Sequence, residues 1–158
     1  MAAGIQIGDV WVPGRVLTAP MTGITDLPFR RLASKLGAAY VATEMVAAAE
    51  LARARPDVVR RAAVGEGLPL TVIQLVGRDP AAMAEGARMA ERAGADIVDL
   101  NFGCPAKEVT GSACGSALMR TPELACRLMQ AAVEATTRPV TGALTRKGRR
   151  GRAAGRMA

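Results

Sequence analysis

The sequence contains no histidine. This absence excludes Ser-His-Asp triads, metal sites with histidine ligands and acid–base catalysis by imidazole. Its three cysteines form no Cys-x-x-Cys pair, so the sequence predicts neither a zinc site nor a disulfide framework. We therefore expect reduced thiols and no metal, and a catalytic acid must be Asp, Glu, Cys, Lys or Tyr.

Long apolar runs are also missing. No run approaches the roughly 20 residues of a membrane-spanning helix, and residues 1–9 lack the basic start and apolar centre of a signal peptide. We expect a cytoplasmic protein with no membrane partner. Its oligomeric state is left open.

The 158 residues, 50% of them hydrophobic, suffice for one domain with a core.

Acidic residues are absent from the end of the chain. Residues 142–158 contain five Arg and one Lys, whereas residues 1–141 carry 15 basic and 14 acidic side chains. This composition predicts a basic, disordered tail at 142–158 after a domain at 1–141. An RNA-binding arm has a similar charge, but the tail has no aromatic residues on which bases could stack.

Short β-rich runs alternate with helical segments along most of the chain. After a hairpin around Gly8 and Asp9, the predicted strands are 15–20, 39–45, 70–77, 95–101 and 138–141. The predicted helices are 26–36, 47–64 broken at Pro56, 79–93 and 121–135, with caps at Asp26, Asp79 and Thr121. Alternation at about 30-residue spacing indicates βαβ units and a parallel sheet.

The loops favour a barrel over a doubly wound sheet. The Gly-x-Gly candidate at Gly65 precedes a strand, whereas a dinucleotide fold needs its glycines directly after one. In a (β/α)8 barrel, functional groups collect at the carboxyl ends of the strands. Polar or glycine-rich groups follow all four complete strands here, at 20–23, 44–45, 74–77 and 101–105.

Three of these stretches carry a family resemblance. "LTAPMTGITDLPFRRLASKLGAAYVATEM", "QLVGRDP" and "AGADIVDLNFGCPAKEVTGSACGSALMR" closely resemble the tRNA-dihydrouridine synthases, the bacterial B-type members most of all. The resemblance implies an FMN-dependent barrel that reduces uridine in tRNA to 5,6-dihydrouridine with electrons from NADPH. Since such a barrel needs about 250 residues, we expect the N-terminal half of a TIM (β/α)8 barrel with four to five parallel strands.

The same resemblance implies the reacting groups. Cys104 matches the catalytic cysteine that protonates uracil C5, and Asn101 can offer a donor and an acceptor to the uracil edge. The glycine-rich run "TGSACGSA" leaves room for a bulky substrate. Without its motif, Cys104 would be interpreted as a small buried apolar residue. Cys114, in the flexible loop, and Cys126, on a helix face, are given no functional role.

The flavin contacts are also implied by the resemblance. Ala19, Pro20 and Met21 match the loop that lies against the isoalloxazine ring. The Gln74 amide lies in an apolar run, where an unpaired polar group costs roughly 1–3 kcal/mol. Pairing with the flavin pyrimidine edge would relieve that cost, and so would a hydrogen bond to a neighbouring strand. Lys107 is predicted to contact phosphate or RNA, with a merely solvated side chain as the alternative.

The sequence departs from the family after "RPVT". A Val-x-Lys-x-Arg segment with a flavin-binding lysine is expected there, and "GALTRKGRR" stands in its place. We interpret the break after Thr141 as a change of reading frame, and we expect this short chain to be inactive alone. The alternatives are a non-catalytic RNA-binding fragment and another FMN-dependent barrel reductase that acts on a small molecule. Glu44 is predicted either to face the barrel mouth or to form an ion pair.

Overall fold

A parallel sheet forms the centre of the computed structural model, which describes residues 3–65, 67–104 and 114–143. An antiparallel hairpin precedes the sheet and turns at Gly8 and Asp9, as predicted. The hairpin strands are β1 (Gly4–Ile7) and β2 (Val10–Pro13), and the parallel strands are β3 (Val46–Ala47), β4 (Val72–Val76), β5 (Ile97–Asn101) and β6 (Val140–Ala143). The α/β class with a parallel sheet is confirmed.

The helices connect these strands. They are α1 (Leu27–Lys35), α2 (Ala48–Ala52), α3 (Pro56–Arg61), α4 (Pro80–Arg92) and α5 (Pro122–Ala135), with a short 3-10 helix at Ser116–Arg120 before α5. Asp26 and Asp79 cap α1 and α4 as predicted, each accepting a hydrogen bond from a backbone N–H three residues later. Thr121 occupies the predicted N-cap position of α5, followed by Pro122, but its buried hydroxyl makes no hydrogen bond among the described residues and so does not cap the helix.

The first two predicted strands are much shorter in the structure. The run 15–20 contributes one parallel bridge, Thr18 to Val41, and 39–45 adds only a second bridge, Ala42 to Val72. Pro20 has no N–H to extend the first ladder. In the second run the Thr43 hydroxyl accepts the hydrogen bond from the Gln74 N–H, taking the place of a backbone acceptor.

Spatial order follows chain order across the parallel sheet. The order is β3-β4-β5-β6, and the bridges place residue 18 beside 41 and residue 42 beside 72. A doubly wound sheet reverses its strand order at a switch point, whereas a (β/α) barrel adds each strand beside the last. The described residues form the N-terminal part of such a barrel.

Apolar side chains cover both faces of the central strands. Ile73, Leu75, Val98 and Leu100 pack with helices α2–α5, and Val72 and Ile97 pack on the other face against Val12 of the hairpin. Two polar side chains, Gln74 and Asp99, alternate with the residues that face the helices. Strand periodicity therefore places both of them on the interior face.

Helices α2 and α4 approach closely at Gly86. A Cβ on Gly86 would lie 3.0 Å from the Ala48 Cβ and 3.2 Å from its Cα. We expect Gly86→Val to lower the free energy of unfolding by about 1–3 kcal/mol, because the added methyl groups would push the helices apart. Urea unfolding measures the change.

An exposed position on the same helix supplies the control. Ala81 lies on the exposed face of α4, and Ala81→Val introduces the same β-branched residue. We expect a loss below about 0.7 kcal/mol, which reflects helix propensity alone. Equal losses in the two variants would show that the close approach of the helices does not limit the side chain at Gly86.

Candidate active site

Three polar side chains form a row across the interior of the sheet. Gln74 on β4 stands opposite Asp99 on β5, which stands opposite Thr141 on β6. The Gln74 Nε2 donates to Asp99 Oδ2 at 2.7 Å, and the Thr141 hydroxyl donates to Asp99 Oδ1 at 2.7 Å. Asp99 is only 6% exposed, so both carboxylate oxygens receive their hydrogen bonds from the protein.

Asn101, two residues beyond Asp99, joins this row to the loop that follows β5. Its Nδ2 donates to Gln74 Oε1 at 3.0 Å. Its Oδ1 accepts hydrogen bonds from the backbone N–H groups of Gly103 and Cys104, both at 3.1 Å. The side chain therefore holds the start of the loop in a turn directly over the row.

The Cys104 thiol lies among apolar and sulfur-containing groups. Its Sγ is 3.4 Å from the Met45 Sδ, and it packs against a cluster that contains Val76 and Cys114. Burial raises the pKa of the Cys104 thiol, and this effect outweighs the hydrogen bond with Asn101, which lowers the pKa. Raising the pKa keeps the proton on sulfur at neutral pH.

The 3-10 helix closes over the backbone of Cys104. The Ser116 N–H donates to the Cys104 carbonyl oxygen at 2.8 Å. Gly115, with φ +60°, comes so close that a Cβ there would overlap the same oxygen. The chain on both sides of the undescribed segment 105–113 is thus fixed next to the thiol.

Burial also changes the pKa values of two other acidic groups, Asp99 and Tyr40. It raises the pKa of Asp99, and the hydrogen bonds from Thr141 and Gln74 partly offset that rise. Burial and then the nearby Asp99 charge raise the pKa of Tyr40, against a hydrogen bond with Thr141. The row of Gln74, Asp99 and Thr141 is therefore shielded from solvent. Its hydrogen bonds, which do not compete with water, fix the orientation of these three side chains.

The family model for dihydrouridine synthase matches residues 17–148, which is most of the chain. The chain belongs to the dihydrouridine synthase family. A probable tRNA-dihydrouridine synthase of Rhodobacter capsulatus is 52% identical over 139 residues, and tRNA-dihydrouridine synthase B of Pseudomonas aeruginosa is 44% identical over 138. Each alignment covers 87% of this chain, but only 43% and 41% of the relative.

In this member of the dihydrouridine synthase family, the fold places three of the predicted site residues close together. Gln74, Asn101 and Cys104 form one connected group at the carboxyl ends of β4 and β5. Gln74 takes the alternative considered for it, a hydrogen bond to a neighbouring strand, so burial alone no longer calls for a flavin partner. Both polar atoms of Asn101 bind the protein. Contact of either side chain with flavin or uracil stays a prediction.

No described hydrogen bond joins the other predicted contacts directly to Gln74, Asn101 or Cys104. Ala19, Pro20 and Met21 follow the first bridge, at the edge of the described sheet, and Met21 is 39% exposed. Glu44 forms no ion pair among the described residues and accepts a hydrogen bond from the Gly23 N–H at 2.9 Å, which ties this loop to the second bridge. Lys107 and residues 144–158 of the predicted tail lie outside the described residues, whereas residues 142 and 143 of that tail form the end of β6.

Sequence reasoning missed four residues of the site. They are Met45, Asp99, Cys114 and Thr141. For Asp99 a signal was available, because it is two residues before Asn101 in a strand and must share its face. The other three come from separate strands or loops, and only the folded chain shows that they meet.

Within residues 3–65, 67–104 and 114–143, no helix combines the length and the hydropathy needed to cross a membrane. The same part of the chain contains no group of three or more His, Cys, Asp or Glu side chains arranged to hold a metal ion.

We expect the pH dependence of Cys104 alkylation to have a midpoint above that of a free thiol, about 8.5. The reason is the burial that raises the pKa of this thiol. Iodoacetamide rates over a pH series, compared with a short cysteine peptide as the control, measure the shift. A midpoint at or below that of the peptide would contradict the environment described for Cys104.

Proposed function

We propose that the chain carries the catalytic half-site of a tRNA-dihydrouridine synthase, which reduces uridine in tRNA to 5,6-dihydrouridine. Membership of the dihydrouridine synthase family and the names of the similar relatives support this reaction. The observation that carries the proposal is a partly buried thiol, Cys104, whose backbone is held by Asn101 and Ser116 at the carboxyl ends of the strands, where barrel enzymes carry out their chemistry. A tRNA substrate is consistent with a cytoplasmic protein.

Cys104 acts as the general acid. Saturation of the uracil C5=C6 bond requires a hydride at C6 and a proton at C5. The Cys104 thiol delivers that proton, and the partly exposed sulfur then recovers one from water. Burial raises the pKa of this thiol, so the group enters each cycle protonated.

The residues at this edge of the sheet fit an FMN cofactor in two respects. The Gln74 amide uses one N–H on Asp99 and one oxygen lone pair on Asn101, and its second N–H and second lone pair can pair with a flavin pyrimidine edge. The partly exposed loop of Ala19, Pro20 and Met21 supplies apolar surface for a flat ring. When bound, FMN reduced by NADPH supplies the hydride for C6.

Substrate recognition requires uridine to leave its base stack, since the reacting carbons are otherwise covered. Asn101 is proposed to contact the uracil edge, for which it must exchange part of its present hydrogen bonding with Gln74 or the loop. Lys107 is proposed as a phosphate or RNA contact from the segment that follows Cys104.

The proposal is tested by joining residues 1–143 to the remaining part of the Rhodobacter capsulatus relative. Flavin fluorescence of the purified chimaera reports FMN binding, and unmodified tRNA assayed with NADPH reports dihydrouridine. Both signals are expected. Flavin without tRNA modification would favour a reductase of small molecules, and RNA binding without flavin would favour a non-catalytic RNA-binding protein. Either result would overturn the proposal.

A further inference from the structure

Asp99 determines how the amide next to it is oriented. Both oxygens of the buried Asp99 carboxyl group accept hydrogen bonds, one from the Thr141 hydroxyl and one from the Gln74 NH2 group. Gln74 must therefore turn its NH2 group toward Asp99. Its carbonyl oxygen, Oε1, is then directed to the opposite side, where Asn101 lies.

The same constraint passes to Asn101. Because Gln74 Oε1 only accepts, Asn101 must present its NH2 group there, at 3.0 Å. Its own carbonyl oxygen is left facing the loop, where the N–H groups of Gly103 and Cys104 need an acceptor. One buried carboxyl group thus sets the order of donors and acceptors through Gln74 and Asn101, up to the backbone of Cys104.

We propose that Asp99 is a positioning residue, whose carboxylate orients the amides of Gln74 and Asn101 in series and thereby holds the Cys104 loop in place. Its importance for catalysis rests on the proposed function, whereas the positioning itself concerns only this chain. The described hydrogen bonds of the Asp99 carboxyl group go to Gln74 and Thr141, so its link to Cys104 runs through Gln74 and Asn101.

Two substitutions separate orientation from shape. Asp99→Asn keeps the size of the side chain but lets either amide turn over. The double variant Asp99→Asn with Gln74→Glu moves the carboxyl group from β5 to the neighbouring strand β4. In that variant the amide introduced at position 99 can donate to the carboxylate introduced at position 74. Because that carboxylate accepts on both sides, Asn101 keeps its present orientation.

A third variant controls for stability. Thr141→Val removes the hydrogen bond to the other Asp99 oxygen and keeps the shape of the side chain. The variant removes one hydrogen bond from the row, while the Gln74 NH2 group still donates to Asp99. A merely structural role for Asp99 predicts that Thr141→Val and Asp99→Asn have the same kind of effect at Cys104.

The measurement is the rate of iodoacetamide alkylation of Cys104 in the 158-residue chain, as a function of pH. Trypsin cleaves after Lys107 and Arg120, which puts Cys104, Cys114 and Cys126 on separate peptides for mass spectrometry. Circular dichroism establishes that each variant is folded. If Asp99→Asn does not fold, Gln74→Met is used in its place, because it removes the hydrogen bonds that connect Asp99 to Asn101.

In Asp99→Asn we expect alkylation of Cys104 at pH 8 to accelerate by about fivefold or more, with a lower midpoint, because the released loop exposes the thiol. The double variant should return to within about twofold of the parent, and Thr141→Val should match the parent. An unchanged rate in Asp99→Asn, or no recovery in the double variant, would overturn the proposal.

The alkylation result does not depend on tRNA or flavin. If it is as expected and the chimaera nevertheless forms no dihydrouridine, the proposed function fails and the positioning by Asp99 stands. If the chimaera forms dihydrouridine but Asp99→Asn does not change the alkylation rate of Cys104, the positioning role of Asp99 is wrong and the proposed function stands.

Discussion

Cys104→Ala is expected to reduce dihydrouridine formation by the chimaera about 10²- to 10⁴-fold, the usual contribution of a general acid. Reduction of bound flavin by NADPH should stay near the parental rate, because the thiol serves only the protonation of uracil C5. Stopped-flow absorbance of the flavin and single-turnover formation of dihydrouridine measure the two steps separately.

Cys126→Ala is the matched control for this variant. Cys126 is exposed on α5, and no described hydrogen bond joins it to the polar row. We expect both steps to be unaffected there. Modification of tRNA by Cys104→Ala at the parental rate would show that the proton comes from another group.

Gly115→Ala is expected to lower the free energy of unfolding by about 2–4 kcal/mol. Its backbone, at φ +60° and ψ −124°, suits glycine, and a Cβ would overlap the backbone carbonyl of Cys104. Backbone atoms cannot rotate away, so the 3-10 helix must shift and give up the hydrogen bond from the Ser116 N–H. Urea unfolding measures the loss, and alkylation of Cys104 should accelerate in parallel.

The conformational part of this cost can be measured separately at Gly14. Gly14 has φ +83°, and a Cβ there would meet nothing within 4 Å. Gly14→Ala should cost about 1–2 kcal/mol, from the left-handed backbone alone. If Gly115→Ala costs no more than Gly14→Ala and leaves Cys104 alkylation unchanged, the contact with the Cys104 carbonyl does not constrain the site.

Much of the fold was predictable because its signals are local. Asp26 and Asp79 stand at helix starts, where a carboxylate accepts an orphan backbone N–H, and Pro56 divides one helical run into two. The two short strands at the start of the sheet were predicted too long. Their ladders stop at Pro20 and at the Thr43 hydroxyl, and a hydroxyl replacing a backbone acceptor leaves no mark in hydrophobic patterning.

The sequence by itself determined the order of strands and helices, the parallel class of the sheet and the position of Cys104 directly after a strand end. These depend on neighbours in the chain, on hydrophobic period and on capping chemistry. Tertiary structure alone decided that Gln74 pairs with Asp99 and Asn101, and that Met45 and Cys114 lie beside the thiol. Those contacts depend on the register between strands that are about 25 or more residues apart, which no local pattern encodes.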